Sequence, residues 1–194
     1  MNYCSHCGAK VSLRIPAGDH LPRYVCDVCH TIHYQNPKLV IGSIPEWEGR
    51  ILLCRRAIEP RHGFWTLPAG FMENSETTPQ AAARETREEA LAEVEVGALY
   101  TLFNVPHISQ VHLFFRARML RPHFGAGEES LEARLFSEAE LPWDEISFAS
   151  VRRTLQLYFA ESKSGLFGFH LDDIYPSQDQ LALYLDDKQR NFVE

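Results

Sequence analysis

The chain has 194 residues, 45% hydrophobic and 23% charged, the profile of an ordinary globular protein. Its 26 acidic residues outnumber 19 basic ones for a net charge of −7, and no basic run is present, which argues against a protein built to grip nucleic acid. No stretch of eighteen apolar residues exists to span a membrane, and the opening Met1-Asn2-Tyr3-Cys4 lacks the layout of a secretory signal, so the expected location is the cytoplasm.

Residues 1–34 are dense in Cys, His and turn formers. Cys4-x2-Cys7 and Cys26-x2-Cys29 stand eighteen residues apart, the spacing of two zinc knuckles. Four thiolates close a tetrahedron around Zn²⁺, and a unit this small has too little core to fold without it. A disulfide framework is the alternative, and a reducing location weighs against it. Gly8 suits the tight turn that follows a second ligand. His6, His30 and His33 lie nearby, but four cysteines complete the site, so they are expected at the surface or in hydrogen bonds.

From residue 35 the pattern changes. Residues 38–44 and 50–54 read as two strands joined at Glu48-Gly49 in a hairpin turn. Cys54, inside the second, reads as a small core residue. Further strands are expected at 94–103 and 110–120, where Val111-His112-Leu113-Phe114-Phe115 is strongly β-prone. Residues 78–91 form the clearest helix, with Thr78 as its cap, Pro79 in the first turn and Gln80-Ala81-Ala82-Ala83 behind. A second helix is expected over 148–161, with Val151, Leu155, Tyr158 and Phe159 on one stripe. Strands, a helix, more strands and a closing helix, without a βαβ repeat, give a mixed α/β (α+β) arrangement. The expected domains are 1–34, 35–161 and a C-terminal extension, 162–194, of unassigned structure.

The chemistry concentrates at Gly70, Glu76 and the run Arg84-Glu85-Thr86-Arg87-Glu88-Glu89. Residues three and four apart share a helix face, so Glu85 faces both Glu88 and Glu89. Three like charges there repel one another, and a hard divalent cation such as Mg²⁺ is the natural neutraliser. A solvated acidic face is the bland reading. Against it stand a glycine loop able to present backbone carbonyls, Arg84 adjacent to hold a carboxylate, and the aromatics of Phe64-Trp65-Thr66-Leu67-Pro68-Ala69 beside the loop.

These residues resemble the signature of the Nudix hydrolases: Gly, five residues, Glu, seven residues, Arg-Glu, an apolar-type residue, any residue, Glu-Glu, any residue, Gly and an apolar residue. Two positions depart from it. Thr86 takes the first apolar slot, and Leu91 replaces the glycine that usually ends the helix. A non-glycine residue in a left-handed cap costs about 1–2 kcal/mol, so the helix is expected to end differently here. A ribbon before such a domain is similar to the NADH pyrophosphatase branch, but that branch carries Ser-Gln-Pro-Trp-Pro-Phe-Pro where this chain has Phe103-Asn104-Val105-Pro106-His107-Ile108-Ser109-Gln110. The segments Tyr34-Gln35-Asn36-Pro37-Lys38, Gly63-Phe64-Trp65-Thr66-Leu67-Pro68-Ala69-Gly70 and Glu129-Ser130-Leu131-Glu132-Ala133-Arg134-Leu135-Phe136 resemble the ribbon-bearing FAD and ADP-ribose pyrophosphatases of plant chloroplasts more closely.

The resemblance implies a Nudix-type mixed sheet between helices, behind a small zinc ribbon, and a Mg²⁺- or Mn²⁺-dependent pyrophosphohydrolase. FAD or ADP-ribose is favoured over NADH, with a nucleoside monophosphate released. Glu85 and Glu89 are the expected direct ligands, with Glu88 sharing the metal or orienting its water. The carbonyl of Ala69 or Gly70 and the late-loop Glu129 join them by resemblance, with Glu128 the rival to Glu129. Glu88, Glu89 and Glu129 are each able to serve as general base. Arg84 orients a glutamate. Phe71 is a candidate stacking platform for a purine, set against ordinary core packing, and Trp65 is a second candidate for substrate contact. The competing functions are a catalytically silent nucleotide sensor or nucleic-acid adaptor, and a nucleoside triphosphate-cleaning pyrophosphatase. The expected partner is a small nucleotide-diphosphate substrate, with no membrane partner, nucleic acid disfavoured and a homodimer as candidate assembly.

Overall fold

A computed structural model describes residues 1–175. They separate into two units, Met1–Pro37 and a second that begins at Lys38. In the first, β1 (Val11–Arg14), β2 (Arg23–Cys26) and β3 (Ile32–His33) make an antiparallel three-stranded sheet. Its buried core residues are Cys4, Val25 and Cys26. Two of these three are candidate metal ligands, so apolar burial contributes little to holding the unit together.

The second unit is built on one mixed sheet. β4 (Lys38–Trp47) and β5 (Arg50–Arg56) form the expected hairpin. Glu48 and Gly49 both take positive φ, 49° and 75°, as a two-residue turn between twisted strands requires. Short strands β6 (Trp65–Thr66) and β7 (Ala69–Phe71) pair with β5 and β4 respectively. After helix α1 (Thr78–Ala90), β8 (Val94–Val105) and β9 (Gln110–Met119) form a long antiparallel pair, and β9 lies parallel to β4 from Lys38↔Gln110 to Glu46↔Arg118. β10 (Ser130–Phe136) and β11 (His170–Asp173) complete the order β10-β5-β4-β9-β8-β11, with β10 and β11 at its two edges. Helix α2 (Ala149–Ser162) follows β10. The last nineteen residues of the expected extension lie outside the described residues; of its earlier part, β11 had no counterpart in the sequence reading.

Strand alternation sends neighbouring residues to opposite faces, and that places the two helices. Ile51, Leu53 and Phe114 join α2 residues Val151, Leu155, Tyr158 and Phe159 in one core. Their neighbours Leu52, Cys54 and Phe115 face the other way, toward Ala81, Ala82 and Ala90 of α1. The sheet is thus sandwiched between α1 and α2.

The N-cap of α1 lies one residue earlier than expected. Thr77, not Thr78, is the N-cap: its hydroxyl accepts the Gln80 N–H at 3.4 Å, while the Gln80 side chain accepts the Thr77 N–H at 2.8 Å. The C-terminus also corrects the sequence reading. Leu91 does adopt the left-handed cap, at φ 50°, and its N–H donates to the Arg87 carbonyl at 3.0 Å. The strain is offset from outside the helix: Gly125 N–H donates to the Ala90 carbonyl at 2.8 Å and Gly127 N–H to the Glu89 carbonyl at 3.0 Å. Thr86 is fully buried and bonds Ser43 Oγ at 2.6 Å and the Ala82 carbonyl at 2.7 Å, so a polar residue in an apolar slot is matched by a polar partner on β4.

Candidate active site

Helix α1 divides its glutamates by depth. Glu85 and Glu89 are each only 8% exposed, whereas the Glu88 side chain is 55% exposed. Glu85 lies against the backbone of Gly70 so closely that a Cβ at that position would collide with its carboxylate. A side chain at position 70 would displace the Glu85 carboxylate from this place. The neighbouring Ala69 N–H donates to Glu89 Oε2 at 3.2 Å, so β7 and its loop face both buried carboxylates.

Arg84 does more than hold one glutamate. Its Nε and Nη2 grip Glu76 at 3.0 and 2.7 Å in a two-pronged contact. Its Nη1 donates to Glu85 at 2.7 Å and to Glu88 at 3.0 Å, and its Nη2 also reaches the Phe71 carbonyl at 3.1 Å. The fork, aided by the Glu73 N–H, holds the Glu76 carboxyl down at about 2. One guanidinium therefore ties the loop, the first glutamate of the signature and two glutamates of α1 into a fixed frame.

The two deep carboxylates have different electrostatic fates. Burial raises the pKa of Glu85 while the adjacent Arg84 opposes the rise. Glu89 has no ion-pair partner among the described residues. Burial pushes it up to about 8, and the negative charges of Glu85 and Glu129 add to the rise against the Ala69 N–H and the charge of Arg56. Burial and the two neighbouring acids disfavour the charged form of Glu89, and a cation bound there would favour it. The donors here are carboxylate oxygens, the type a hard divalent ion takes; among the described residues, three or more ligand atoms converge tightly only at the four cysteines.

Glu129 acts electrostatically on both Glu85 and Glu89, and it sits, exposed, on the loop whose Gly125 and Gly127 N–H groups cap α1. Glu128, the rival, is exposed one position earlier. Gly127 packs directly on the Glu88 carbonyl, where any Cβ would collide. Two glycines just ahead of an acidic pair are the sequence signal of this device, which lies outside the expected site residues.

The two aromatic candidates separate. Phe71 is 50% exposed, with the Lys38 ammonium 4.6 Å above its ring. Trp65 does not join it. At 6% exposure its ring sits edge-on to Phe136 at 4.8 Å in the α2-side core, because a strand residue paired with β5 at that position faces inward. Trp65 is a core residue.

In the N-terminal unit the sulfurs of Cys4, Cys7, Cys26 and Cys29 all lie within 4.8 Å of one another, with Cys4–Cys29 at 3.7 Å and Cys7–Cys26 at 3.5 Å. A zinc ion bound tetrahedrally at about 2.3 Å sets sulfur separations of about 3.8 Å, so the four thiols fit that ion. His6 N–H approaches Cys4 Sγ at 3.3 Å, the Val28 and Cys29 N–H groups approach Cys26 Sγ at 3.4 Å, and His33 Nε2 lies 3.3 Å from Cys4 Sγ. Gly8 takes φ 75° in the first knuckle.

A mixed sheet between two helices, with an acidic helix laid against a glycine loop, is the architecture of a metal-dependent phosphoanhydride hydrolase. Residues 40–156 match the family model described as the NUDIX domain, and residues 2–35 match the one described as Nudix N-terminal, a zinc ribbon. The chain belongs to the Nudix hydrolase family and carries that family's N-terminal ribbon. An ADP-ribose pyrophosphatase from Methanocaldococcus jannaschii is 30% identical over 115 residues, covering 56% of this chain and 67% of that protein. The NAD-capped RNA hydrolase NudC of Vibrio atlanticus is 34% identical over 91 residues, 46% of this chain but only 31% of its own length. The solved structure of a NUDIX hydrolase from Nitrosomonas europaea superposes with a TM-score of 0.87 at 57% identity, covering 90% of this chain and 99% of that one. Among the described residues, no helix is long and apolar enough to cross a membrane.

Proposed function

We propose that the chain hydrolyses the diphosphate of an ADP-ribose- or FAD-type substrate with Mg²⁺ or Mn²⁺, releasing a nucleoside monophosphate. The observation that carries this reading is the buried Glu89 carboxylate, four residues from buried Glu85 and without an ion-pair partner among the described residues. Glu85 and Glu89 would hold the cation, with Glu88, Glu129 and the carbonyl of Ala69 or Gly70 completing the set. When bound, the ion supplies charge neutralisation on the departing phosphate and a more acidic water. Arg84 fixes Glu85 and Glu88 so that neither must reorganise when substrate arrives. The general base is drawn from Glu88, Glu89 and Glu129, and the exposed Phe71 ring is the surface on which a purine would stack. The preference for ADP-ribose is supported by the relative of that name, and the preference against NADH by the segment 103–110. Zinc in the ribbon is structural, because four thiolates leave no open coordination position.

A matched panel of ADP-ribose, FAD, NADH and an oxidised nucleoside triphosphate, each with Mg²⁺ and Mn²⁺, tests the reading. The expected result is the highest kcat/KM for ADP-ribose or FAD, with AMP among the products. NADH as the best substrate, or inorganic pyrophosphate as the main product, would overturn it. Phe71→Ala should raise KM more than it lowers kcat if stacking is mainly uniform binding.

A further inference from the structure

Within a chain of net charge −7, the segment 55–63 carries three arginines and His62. Among the described residues, none of Arg55, Arg56 and Arg61 has a carboxylate at ion-pair distance, although Glu59 is exposed in the same segment. Neutral groups hold them instead. Arg55 Nε donates to the Gly63 carbonyl at 2.9 Å, and the Arg61 guanidinium lies 5.4 Å from the Phe64 ring centre. Arg56 Nε donates to the Pro60 carbonyl at 2.9 Å, and its guanidinium lies 5.2 Å from the ring centre of Phe148. Held by one N–H and an aromatic face, the planar Arg56 fork keeps its outer N–H groups available for an anion.

The position of Arg56 gives that anion an identity. Arg56 closes β5, where it is paired in register with Ser130, and the next residue, Ala57, donates its N–H to the Glu129 carbonyl at 2.9 Å. The strand end that carries Arg56 is therefore stitched to the loop that carries Glu129. The base of the segment is closed by Arg56 N–H to the Phe64 carbonyl at 2.9 Å and Gly63 N–H to the Arg56 carbonyl at 2.8 Å. The Arg56 charge also acts on Glu89 without pairing with it. A cation that acts on Glu89, with no carboxylate at ion-pair distance among the described residues, matches the negative charge that a metal-bound diphosphate brings.

We propose that Arg56 is a diphosphate-binding residue, its guanidinium gripping phosphate oxygens of the substrate beside the carboxylates of α1. This rests on the pyrophosphohydrolase reading, and it adds a specific anchor outside the family signature. The rival reading is a staple for the 55–63 segment through Pro60. The two differ in what lysine does: Arg56→Lys loses the two-pronged fork but keeps the charge, whereas Arg56→Met loses both.

The test is calorimetric titration of inorganic pyrophosphate, with Mg²⁺ present, into wild type, Arg56→Met, Arg56→Lys and the surface control Arg118→Met, alongside KM and kcat on the best substrate. Arg56→Met is expected to bind pyrophosphate about tenfold more weakly or worse. Arg56→Lys should recover part of that loss, the control should match wild type, and KM should rise more than kcat falls. Pyrophosphate binding by Arg56→Met within about twofold of wild type, or equal losses in Met and Lys variants, would overturn the proposal. If Arg56→Met does not fold, the Nη–H resonances of Arg56 in the wild type decide: a shift on adding Mg²⁺ and pyrophosphate supports the contact, and unmoved resonances refute it. A wild type that hydrolyses no diphosphate, yet loses pyrophosphate binding in Arg56→Met, would retire the catalytic reading while leaving this site standing.

Discussion

Replacing Gly127 with alanine should damage stability and the active site together. A Cβ at 127 would collide with the Glu88 carbonyl, and it would lie 2.8 Å from the carbonyl carbon of Glu88 and 3.1 Å from the Glu89 Cα. These are backbone atoms of a packed helix and do not yield, so the loop must move. Moving it breaks the Gly127 and Gly125 hydrogen bonds to the Glu89 and Ala90 carbonyls, 3.0 and 2.8 Å long. At about 0.5–1.5 kcal/mol each, the loss is about 1–3 kcal/mol, which lowers Tm by roughly 2–12 °C in a chain of this size. Because the same loop carries Glu129, the Mg²⁺ requirement for activity should rise too. Gly125→Ala is the internal control. Its Cβ would meet only Leu91 Cδ1, at 3.5 Å, an ordinary contact. Thermal melts and Mg²⁺ titrations of activity on both variants check the reasoning. A Gly127→Ala protein as stable and as active at low Mg²⁺ as Gly125→Ala would refute the idea that this loop caps α1 by close approach.

Elemental analysis of the purified protein should find one zinc per chain, and no zinc, or a Cys4–Cys29 disulfide, would contradict the ribbon assignment. His112 gives a pH prediction: burial, with a smaller contribution from His107, lowers its pKa to about 4, and it bonds Ser150 and Gln110 in the neutral form. The folded value lies below the unfolded one, so its stabilising contribution is complete above about pH 6.5 and is lost as the pH falls toward 4, about 2 kcal/mol of it by pH 5. Urea unfolding at pH 7.5 and 5.0 should show that loss in wild type and less of it in His112→Gln; an identical pH response in both would exclude His112 as the source.

The hairpin and both helices were legible because their signals are local. Alternation, a turn pair able to take positive φ, and a 3.6-residue stripe all act within one segment. The cap was legible in principle as well, since Thr77-x-x-Gln80 is a capping box and Thr78-x-x-Ala81 is not. What escaped depends on contacts far along the chain. The left-handed Leu91 is sustained by Gly125 and Gly127, and β11 exists only by pairing with β8. Trp65 was misplaced because an aromatic beside a glycine loop looks the same in sequence whether its strand turns it outward or into the core. The glutamate spacing was visible, but its division into two buried carboxylates and one exposed was not. That division comes from the loop at Ala69-Gly70 and from the Arg84 fork.

The most direct test of the central claim, that the buried carboxylates of α1 hold the catalytic cation, is the turnover number of Glu89→Gln at saturating Mg²⁺ on whichever diphosphate the wild type cleaves best. Glutamine keeps the size and still accepts the Ala69 N–H, so the fold should survive. In metal-free protein the raised Glu89 pKa, about 8, means that its contribution is present at low pH and lost as the pH rises toward that value. Without metal the variant should therefore be the more stable protein at neutral pH. With metal it lacks the charge that the ion requires, an interaction worth several kcal/mol in the transition state, or about a hundredfold or more in rate. The account predicts a fall in kcat of that size in a folded protein. A kcat near that of the wild type would contradict it.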